Sequence, residues 1–400
     1  MKISEFLIKH PKLSTLLTIM VSTLFLMWLL VSLSLTKIDK MQIAEANDLA
    51  GVITTSFNGI KDEVVLEIKE IKREKVKEKE IHGIYLTAYS AGSPTKVDKI
   101  IASIKGTAIN AVIIDIKDYS GYLSYDSNIP MVSELKLEQV KIKNIKGVVE
   151  KLHQNNIYTI ARIAVFQDPA LSSKKKDWAV MNKNTNQIWK DNKGLSWLDP
   201  ANPAVWKYHT EIAKEAIDLG FDEINLDYVR FPSDGPISAM VFPKWKGEGT
   251  KADVIKRFFT FFAKELMTEP AYTSVDLFGL VTTIKNDMNI GQLLENATPY
   301  FDYVCPMVYP SHYPNGYMGF NNPANYPYEI IYKATKTANE RIASSTPSRA
   351  KIRPWIQDFD LGATYTSSMV KKEIKAIKDS GGFGYLVWDP KNIYTWEAFK

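Results

Sequence analysis

The sequence predicts an α/β fold, a (β/α)8 TIM barrel preceded by an N-terminal transmembrane helix and a charged spacer. Two observations support this prediction. After His82, short apolar segments alternate eight times with longer amphipathic segments, and such alternation implies parallel strands joined by helical crossovers. Before His82, a long run without any charge is followed by a stretch rich in both Lys and Glu.

The first element is the apolar run at residues 13–35, which contains no charged side chain. A helix needs about 20 apolar residues to cross a bilayer, so this run is long enough. Lys2, Lys9 and Lys12 precede it, and an excess of positive charge on one side favours a cytoplasmic N-terminus. We therefore expect residues 1–12 in the cytoplasm and the rest outside it. The alternative is a signal peptide cleaved near "AEA" at 44–46, which would release a secreted protein.

Residues 36–80 form the next predicted unit, a linker. Its second part, 61–80, contains six Lys and one Arg against one Asp and six Glu, and it lacks Gly and Pro. Because these charges cancel, the stretch is typical of a solvated spacer and not of a binding patch. The barrel domain is then predicted to cover residues 81–400.

Composition excludes several function classes. The formal net charge is only +5, and no glycine-rich phosphate loop or long basic block is present, which argues against nucleotide and nucleic acid partners. The five histidines are scattered and Cys305 is the single cysteine, so metal-ligand spacing is missing. We predict no cofactor and no metal, and the sequence leaves the oligomeric state open.

Within the barrel, eight apolar segments are predicted to form the strands. They are residues 83–90, 111–118, 158–166, 223–231, 276–283, 303–310, 351–359 and 382–389. Their near-continuous apolar character is typical of strands that are buried on both faces. In such barrels the functional groups lie at the C-terminal ends of the strands and in the loops that follow.

Carboxylates, amides and aromatic residues gather at those strand ends. Asp227 ends strand four within "INLDYVRFPSDG", and burying a carboxylate there is costly unless it has a function or a partner. We predict Asp227 as nucleophile or general base. The second catalytic carboxylate is left among Asp276, Asp115 and Asp389. A purely structural ion pair between Asp227 and Arg230 is the competing interpretation.

The same strand ends carry residue types that suit a sugar. Aromatic rings stack on pyranose faces, and amides and charged groups bind hydroxyls, while two carboxyl groups can cleave a glycosidic bond. The predicted substrate contacts share this rim position: Tyr89, Asn225, Arg230, Tyr309, His312, Trp355, Gln357, Trp388 and Asp389.

Several segments in order also resemble one family. They include "GIYLTAYSAG", "WLDPANPAVWKYHTEIAKEAIDLGFDEINLDYVRFPSDG", "PMVYPSHY" and "GGFGYLVWDP". Over residues 80–400 the chain resembles a bacterial family of glycoside hydrolase-like (β/α)8 barrels, distantly similar to α-amylase-like barrels. The resemblance implies an Asp nucleophile at the end of strand four, which Asp227 matches. It also implies an Arg two residues earlier, where this chain has Asn225, and a Glu acid after strand five, where the nearest carboxylate is Asp276.

The sequence therefore predicts a membrane-anchored enzyme that hydrolyses glycosidic bonds in an extracytoplasmic or cell-envelope polysaccharide or oligosaccharide. The alternative from a different class is a membrane-anchored glycan-binding barrel without catalysis, which would use the same aromatic rim.

Overall fold

Eight parallel strands close on themselves into a barrel in the computed structural model, which describes residues 74–344 and 348–400. The strands are β1 Ile81–Leu86, β2 Ala111–Lys117, β3 Tyr158–Ala164, β4 Glu223–Asp227, β5 Tyr272–Phe278, β6 Tyr303–Met307, β7 in two parts (Lys351–Ile352 and Trp355–Gln357) and β8 Gly384–Trp388. Closure comes from parallel pairing of β1 with β8, where Ile81 lies opposite Gly384. The predicted (β/α)8 barrel is confirmed.

Helices connect successive strands on the outside of the barrel. The longer ones are α1 Pro94–Ile104, α2 Ile145–Gln154, α3 Pro203–Asp218, α4 Lys251–Leu266, α5 Pro327–Ala343 and α6 Ser367–Asp379. Short helices add Ala88–Ala91, Pro130–Leu135, Pro169–Lys174 and Leu294–Ala297. The connection between β5 and β6 lacks a long helix, since its α-helix, Leu294–Ala297, has only four residues. Apolar faces of α1 to α6 pack on the outer face of the sheet and form the main core.

Local sequence explains where several elements start and stop. Pro203 and Pro327 occupy the first turn of α3 and α5, where a missing N–H costs nothing. Thr250 and Asp253 form a capping box at the start of α4, which satisfies two otherwise free N–H groups. In β7 the break falls at Arg353 and Pro354, since proline cannot donate to a neighbouring strand.

Several predicted strand boundaries are wrong, and two of them have a clear physical cause. The fifth strand begins at Tyr272 and not at Asp276. Tyr272, Thr273 and Ser274 are polar, so the apolar pattern misses the first half of the strand. The fourth strand ends at Asp227 and not at Phe231, because Tyr228 adopts a left-handed conformation with a φ of 53°, which ends an extended strand.

The segment 74–80 packs across the N-terminal end of the barrel. Glu78 accepts a hydrogen bond from Tyr303 at 3.1 Å and pairs with Lys351 at 2.6 Å. Lys75 lies 3.9 Å from the ring centroid of Tyr272, whose hydroxyl donates to the carbonyl of Val76. These residues belong to the predicted spacer, and they contact the start of three barrel strands.

The predicted transmembrane segment 13–35 and most of the spacer lie outside the described residues. Within 74–344 and 348–400, no helix combines the length and the apolar character that crossing a membrane requires.

Candidate active site

Alternation along the strands directs four ionisable side chains into the C-terminal end of the barrel. Successive side chains of a strand point to opposite faces. On β2, Val112 and Ile114 pack with the helices, whereas Ala111 and Ile113 pack inside the barrel. Continuing this alternation places Asp115 inside. Arg162 of β3, Asp227 of β4 and Asp276 of β5 lie beside it, because Arg162 forms an ion pair with each of the three aspartates.

Arg162 is the centre of this group. Its Nη1 donates to Asp115 Oδ1 at 2.5 Å, its Nη2 contacts Asp227 Oδ2, and its Nε lies 3.6 Å from Asp276 Oδ2. Burial lowers the pKa of Arg162, but the charges of Asp115 and Asp227 outweigh it and hold this pKa well above its usual range. The guanidinium is therefore a fixed cation that holds the carboxyl groups of neighbouring strands in place.

Asp115 uses both of its oxygens. Besides the bond from Arg162, it accepts a hydrogen bond at 2.5 Å from the hydroxyl of Tyr85 on β1. Burial raises the pKa of Asp115, while Arg162 opposes that shift. Tyr85 in turn stacks on Trp388 with ring centroids 3.9 Å apart. Asp115 is therefore fixed in position by hydrogen bonds from both neighbouring strands, β1 and β3.

Asp227 stands where β4 ends. Its Oδ1 accepts a hydrogen bond from the backbone N–H of Tyr228, the residue with the positive φ. Such a conformation is uncommon for an aromatic residue and is found mostly where function demands it. The carboxylate is thus held by a neighbouring strand and by its own turn. It is slightly more exposed than Asp276, at 5% against 1%.

Arg230 does not provide the structural partner that the competing interpretation of Asp227 requires. Its Nη1 donates to the carbonyl of Phe231 at 3.1 Å and to Ser233 at 3.2 Å. Its guanidinium lies 4.7 Å from the ring centroids of both Trp197 and Phe278. Within the described residues, the ion pairs of Asp227 involve Arg162 and not Arg230.

Asp276 is the most deeply buried of the three carboxyl groups, with 1% of its surface exposed. Its Oδ1 accepts hydrogen bonds from Trp355 Nε1 at 2.7 Å and from Asn225 Nδ2 at 2.8 Å. Burial, followed by the charge of Asp227, raises the pKa of Asp276 to about 8. Arg162 opposes this shift, but its single guanidinium faces three carboxyl groups and does not offset the burial of Asp276.

This raised pKa predicts how stability depends on pH. The folded state holds the proton of Asp276 up to about pH 8, whereas the unfolded chain releases it near 3.8. The folded state therefore binds more protons between these values, and stability should decrease as pH rises through this window. In Asp276→Asn this contribution should vanish. Thermal unfolding from pH 4 to 8 should show a flatter profile for the variant, with the largest gain in Tm near pH 8. Parallel profiles for both proteins would contradict the assignment.

A second polar layer lies beneath the site, inside the barrel. Glu223 of β4 and Arg353 are both fully buried and form an ion pair. Glu223 also accepts hydrogen bonds from Ser274 at 2.5 Å and Tyr158 at 3.1 Å. Ser274 accepts from Asn225 at 3.0 Å, so this layer connects directly to the support of Asp276.

The predicted substrate contacts occupy different environments. Trp388 is partly exposed at the end of β8, and Tyr89 and His312 are exposed in the short helical turns that follow β1 and β6. The other six are buried: Asn225, Arg230, Tyr309, Trp355, Gln357 and Asp389.

Several of these buried side chains already form hydrogen bonds with other groups of the protein. Gln357 Oε1 accepts from Ser311 Oγ at 2.8 Å and its Nε2 donates to the carbonyl of Phe359. Asp389 accepts from the backbone N–H of Lys391 and shapes the turn after β8. Trp355, at 1% exposure, does not present an open ring face for a sugar. Gln357, Asp389 and Trp355 therefore stabilise the loops and strand ends of the rim through contacts within the protein.

The sequence-based set of candidate site residues omits Arg162, Tyr85 and Ser274. The sequence does contain a signal for Arg162, since "YTIARIAVF" places an arginine inside an otherwise apolar strand, and a buried cation requires an anionic partner. For Tyr85 and Ser274 no comparable signal exists, because their role follows from the register between strands.

No group of three or more potential ligand side chains that could hold a metal ion occurs in the described part of the chain. The groups that meet in the site are carboxyl, guanidinium, amide, indole and phenol groups. These can position a substrate, transfer protons and stabilise charge.

Comparisons with solved structures agree on the architecture. The glycoside hydrolase domain of PgaB (BpsB) from Bordetella bronchiseptica is 12% identical, with a TM-score of 0.55, over 78% of this chain and 94% of that one. The α-L-fucosidase isoenzyme 2 of Paenibacillus thiaminolyticus is 11% identical, with a TM-score of 0.54, over 80% and 47%. At these identities the likeness concerns the fold alone.

A protein of Ruminiclostridium thermocellum ATCC 27405, described as hypothetical, is 39% identical over 48% of this chain and 96% of its own, with a TM-score of 0.45. No curated protein matches the sequence. A family model matches residues 83–394, which include all eight barrel strands apart from the first two residues of β1. The chain therefore belongs to this family, DUF4015, described as "Putative glycosyl hydrolase domain", and the sequence-based prediction of a glycoside hydrolase is confirmed at the level of the family.

Proposed function

We propose that this protein hydrolyses an O-glycosidic bond with Asp227 as nucleophile or general base and Asp276 as general acid. One observation carries the assignment: a single guanidinium, that of Arg162, faces three carboxyl groups. Asp276 is the most buried of them, and its pKa is raised to about 8. A pair of carboxyl groups in opposite protonation states is what glycoside hydrolysis requires.

The reaction uses the proton of Asp276 first. Asp276 protonates the glycosidic oxygen while the bond from that oxygen to the anomeric carbon breaks. Asp227 either attacks the anomeric carbon, forming an ester, or removes a proton from a water molecule that attacks it. In the first case the ionised Asp276 deprotonates the water that cleaves the ester, which restores its proton. Both routes consume one water molecule, and they differ in the anomer released.

Arg162 has an electrostatic role in this scheme. Its contacts with Asp115 and Asp227 keep positive charge beside the carboxylate that acts on the anomeric carbon. Burial nevertheless keeps the pKa of Asp276 raised to about 8, so Asp276 retains the proton that a general acid needs. Among the rim residues, the partly exposed ring of Trp388, with Tyr89 and His312 on the neighbouring loops, is the best placed to contact sugar rings.

The second candidate is a glycan-binding barrel without catalysis. Its support is the near-complete burial of Asp276 and the occupation of Asp227 Oδ2 by Arg162, since a closed ion pair is also compatible with a purely structural cluster. The two candidates share the same rim and differ only in turnover.

The test is a screen of the full-length protein, in detergent, against a panel of cell-envelope polysaccharides and oligosaccharides. Release of reducing ends by the wild type, lost in Asp276→Asn, is the expected result. Glycan binding without release of reducing ends would favour the binding barrel. Equal release by both proteins would remove Asp276 from the mechanism.

We further propose that residues 13–35 anchor the protein in the membrane with the barrel outside the cytoplasm. The charge-free run and the preceding lysines support this orientation. Protease added to intact spheroplasts should then digest the barrel, while a cytoplasmic marker protein stays intact. Protection of the barrel would contradict the orientation. A soluble form in the medium that begins near residue 47 would favour signal cleavage.

A further inference from the structure

The two oxygens of Asp276 have unequal surroundings. Oδ1 accepts from Trp355 Nε1 at 2.7 Å and from Asn225 Nδ2 at 2.8 Å. An indole N–H and an amide NH2 can only donate, so these bonds occupy both lone pairs of Oδ1. Oδ2 is buried and has no hydrogen-bond partner among the described residues; Arg162 Nε lies 3.6 Å away.

We infer that Trp355 and Asn225 are positioning residues that confine the acidic proton of Asp276 to Oδ2 and thereby aim it at the scissile oxygen. The inference rests on the proposed function of Asp276. A carboxyl oxygen that accepts two hydrogen bonds has no site left for a proton. Oδ2 then carries the O–H, and within the described structure no protein acceptor competes with the substrate for it.

The orientation of Asn225 is itself fixed from below. The hydroxyl of Ser274 donates to Glu223 Oε1 at 2.5 Å. Because a serine hydroxyl has one hydrogen, Ser274 Oγ can only accept from Asn225, at 3.0 Å. The amide must therefore turn its NH2 group, and not its oxygen, towards Ser274 and Asp276. Glu223 is held in turn by the buried Arg353. The inner layer of the barrel therefore determines that Asn225 presents its NH2 group to Asp276.

This arrangement also fixes the direction of a measurable effect. Hydrogen bonds from Trp355 and Asn225 stabilise the ionised form of Asp276 and lower its pKa against the larger effect of burial. Without one of these donors the anion loses stabilisation, so the proton should be held to a higher pH. One hydrogen bond to a charged group corresponds to a shift of about one pH unit.

The experiment compares full-length wild type with Trp355→Phe, which keeps a buried ring but removes the N–H. The carbonyl stretch of protonated Asp276, assigned by its absence in Asp276→Asn, is followed by infrared spectroscopy as a function of pH. We expect its midpoint to rise by about one unit in Trp355→Phe. The basic limb of the pH–kcat profile should move in the same direction, together with a lower kcat. Trp206→Phe is the matched control, since its indole N–H donates to the carbonyl of Pro200 far from Asp276, and it should shift neither.

The outcomes separate this inference from the proposed function. An unchanged midpoint in Trp355→Phe would overturn the inference even if hydrolysis is observed. If the variant unfolds, Asn225→Leu provides the second test, with the same expected direction. A shifted midpoint in a protein that hydrolyses no glycan would support the proton assignment while rejecting the proposed activity.

Discussion

Asp227→Asn should lower the rate of glycan hydrolysis by about 10³-fold or more, because it removes the group that acts on the anomeric carbon and leaves an amide that is neither nucleophile nor base. Folding should survive. Arg162 keeps its 2.5 Å contact with Asp115, and loss of the Asp227 charge lowers the pKa of Asp276, so Asp276 can ionise and take up the pairing. The measurement is kcat per folded molecule, with thermal unfolding of the same sample.

The same variant discriminates between the interpretations of Asp227. Asp234→Asn serves as a control. Asp234 lies in the loop after β4, and its carboxylate accepts a hydrogen bond from the backbone N–H of Asn192. A stable Asp227→Asn protein with near wild-type turnover would end the catalytic assignment. A large loss of stability without loss of turnover would make Asp227 a structural partner of Arg162.

Arg162→Met should have the largest effect on stability, because three carboxyl groups then share a buried space without their cation. Removing one partner of a buried ion pair costs about 3–5 kcal/mol. The loss should depend on pH. Arg162 opposes the raised pKa of Asp115, so without Arg162 this pKa rises further, and only in the folded state. The folded variant then holds an extra proton, and its deficit grows as pH rises through the range in which wild-type Asp115 ionises.

Urea unfolding of Arg162→Met at pH 4 and pH 7 tests this expectation. Arg230→Met is the matched control, since Arg230 is also buried but lies between aromatic rings. Its effect on the free energy of unfolding should depend little on pH across this range. A deficit in Arg162→Met that is equal at both pH values would show that packing, and not charge, explains the role of Arg162.

The sequence predicts the barrel well because its signal is repeated. Strands such as β2 and β3 are largely apolar, with one or two charged residues each, and an amphipathic helix follows each of them before the next strand. The pattern fails where side chains inside the barrel are polar. Ser274 of β5 belongs to the inner hydrogen-bonded layer, so the strand looks shorter in sequence than it is. Tyr228 looks like a continuation of β4, although its left-handed conformation ends that strand.

The site is predictable in part for the same reason. Asp115, Asp227 and Asp276 follow from a simple rule that places functional groups at the C-terminal ends of barrel strands. Their partners do not follow from it. That Arg162, and not Arg230, meets Asp227 depends on the pairing of β3 with β4, where Arg162 lies opposite Asn225. Arg162 thus reaches from the neighbouring strand to contact Asp227, whereas the α-amylase-like pattern expects the arginine two residues before that aspartate on the same strand.

Closure of the barrel has a consequence for how the chain is made. β1 pairs with β8, so the first strand of the domain can complete its pairing only after the last strand has been synthesised. During synthesis, β1 has an unpaired edge until Gly384–Trp388 has emerged, and exposed edges are sites of aggregation. Contacts between distant parts of a chain also slow folding. We therefore expect the nascent protein to depend on chaperones, and C-terminal truncations before β8 to accumulate as aggregates and not as partly active barrels.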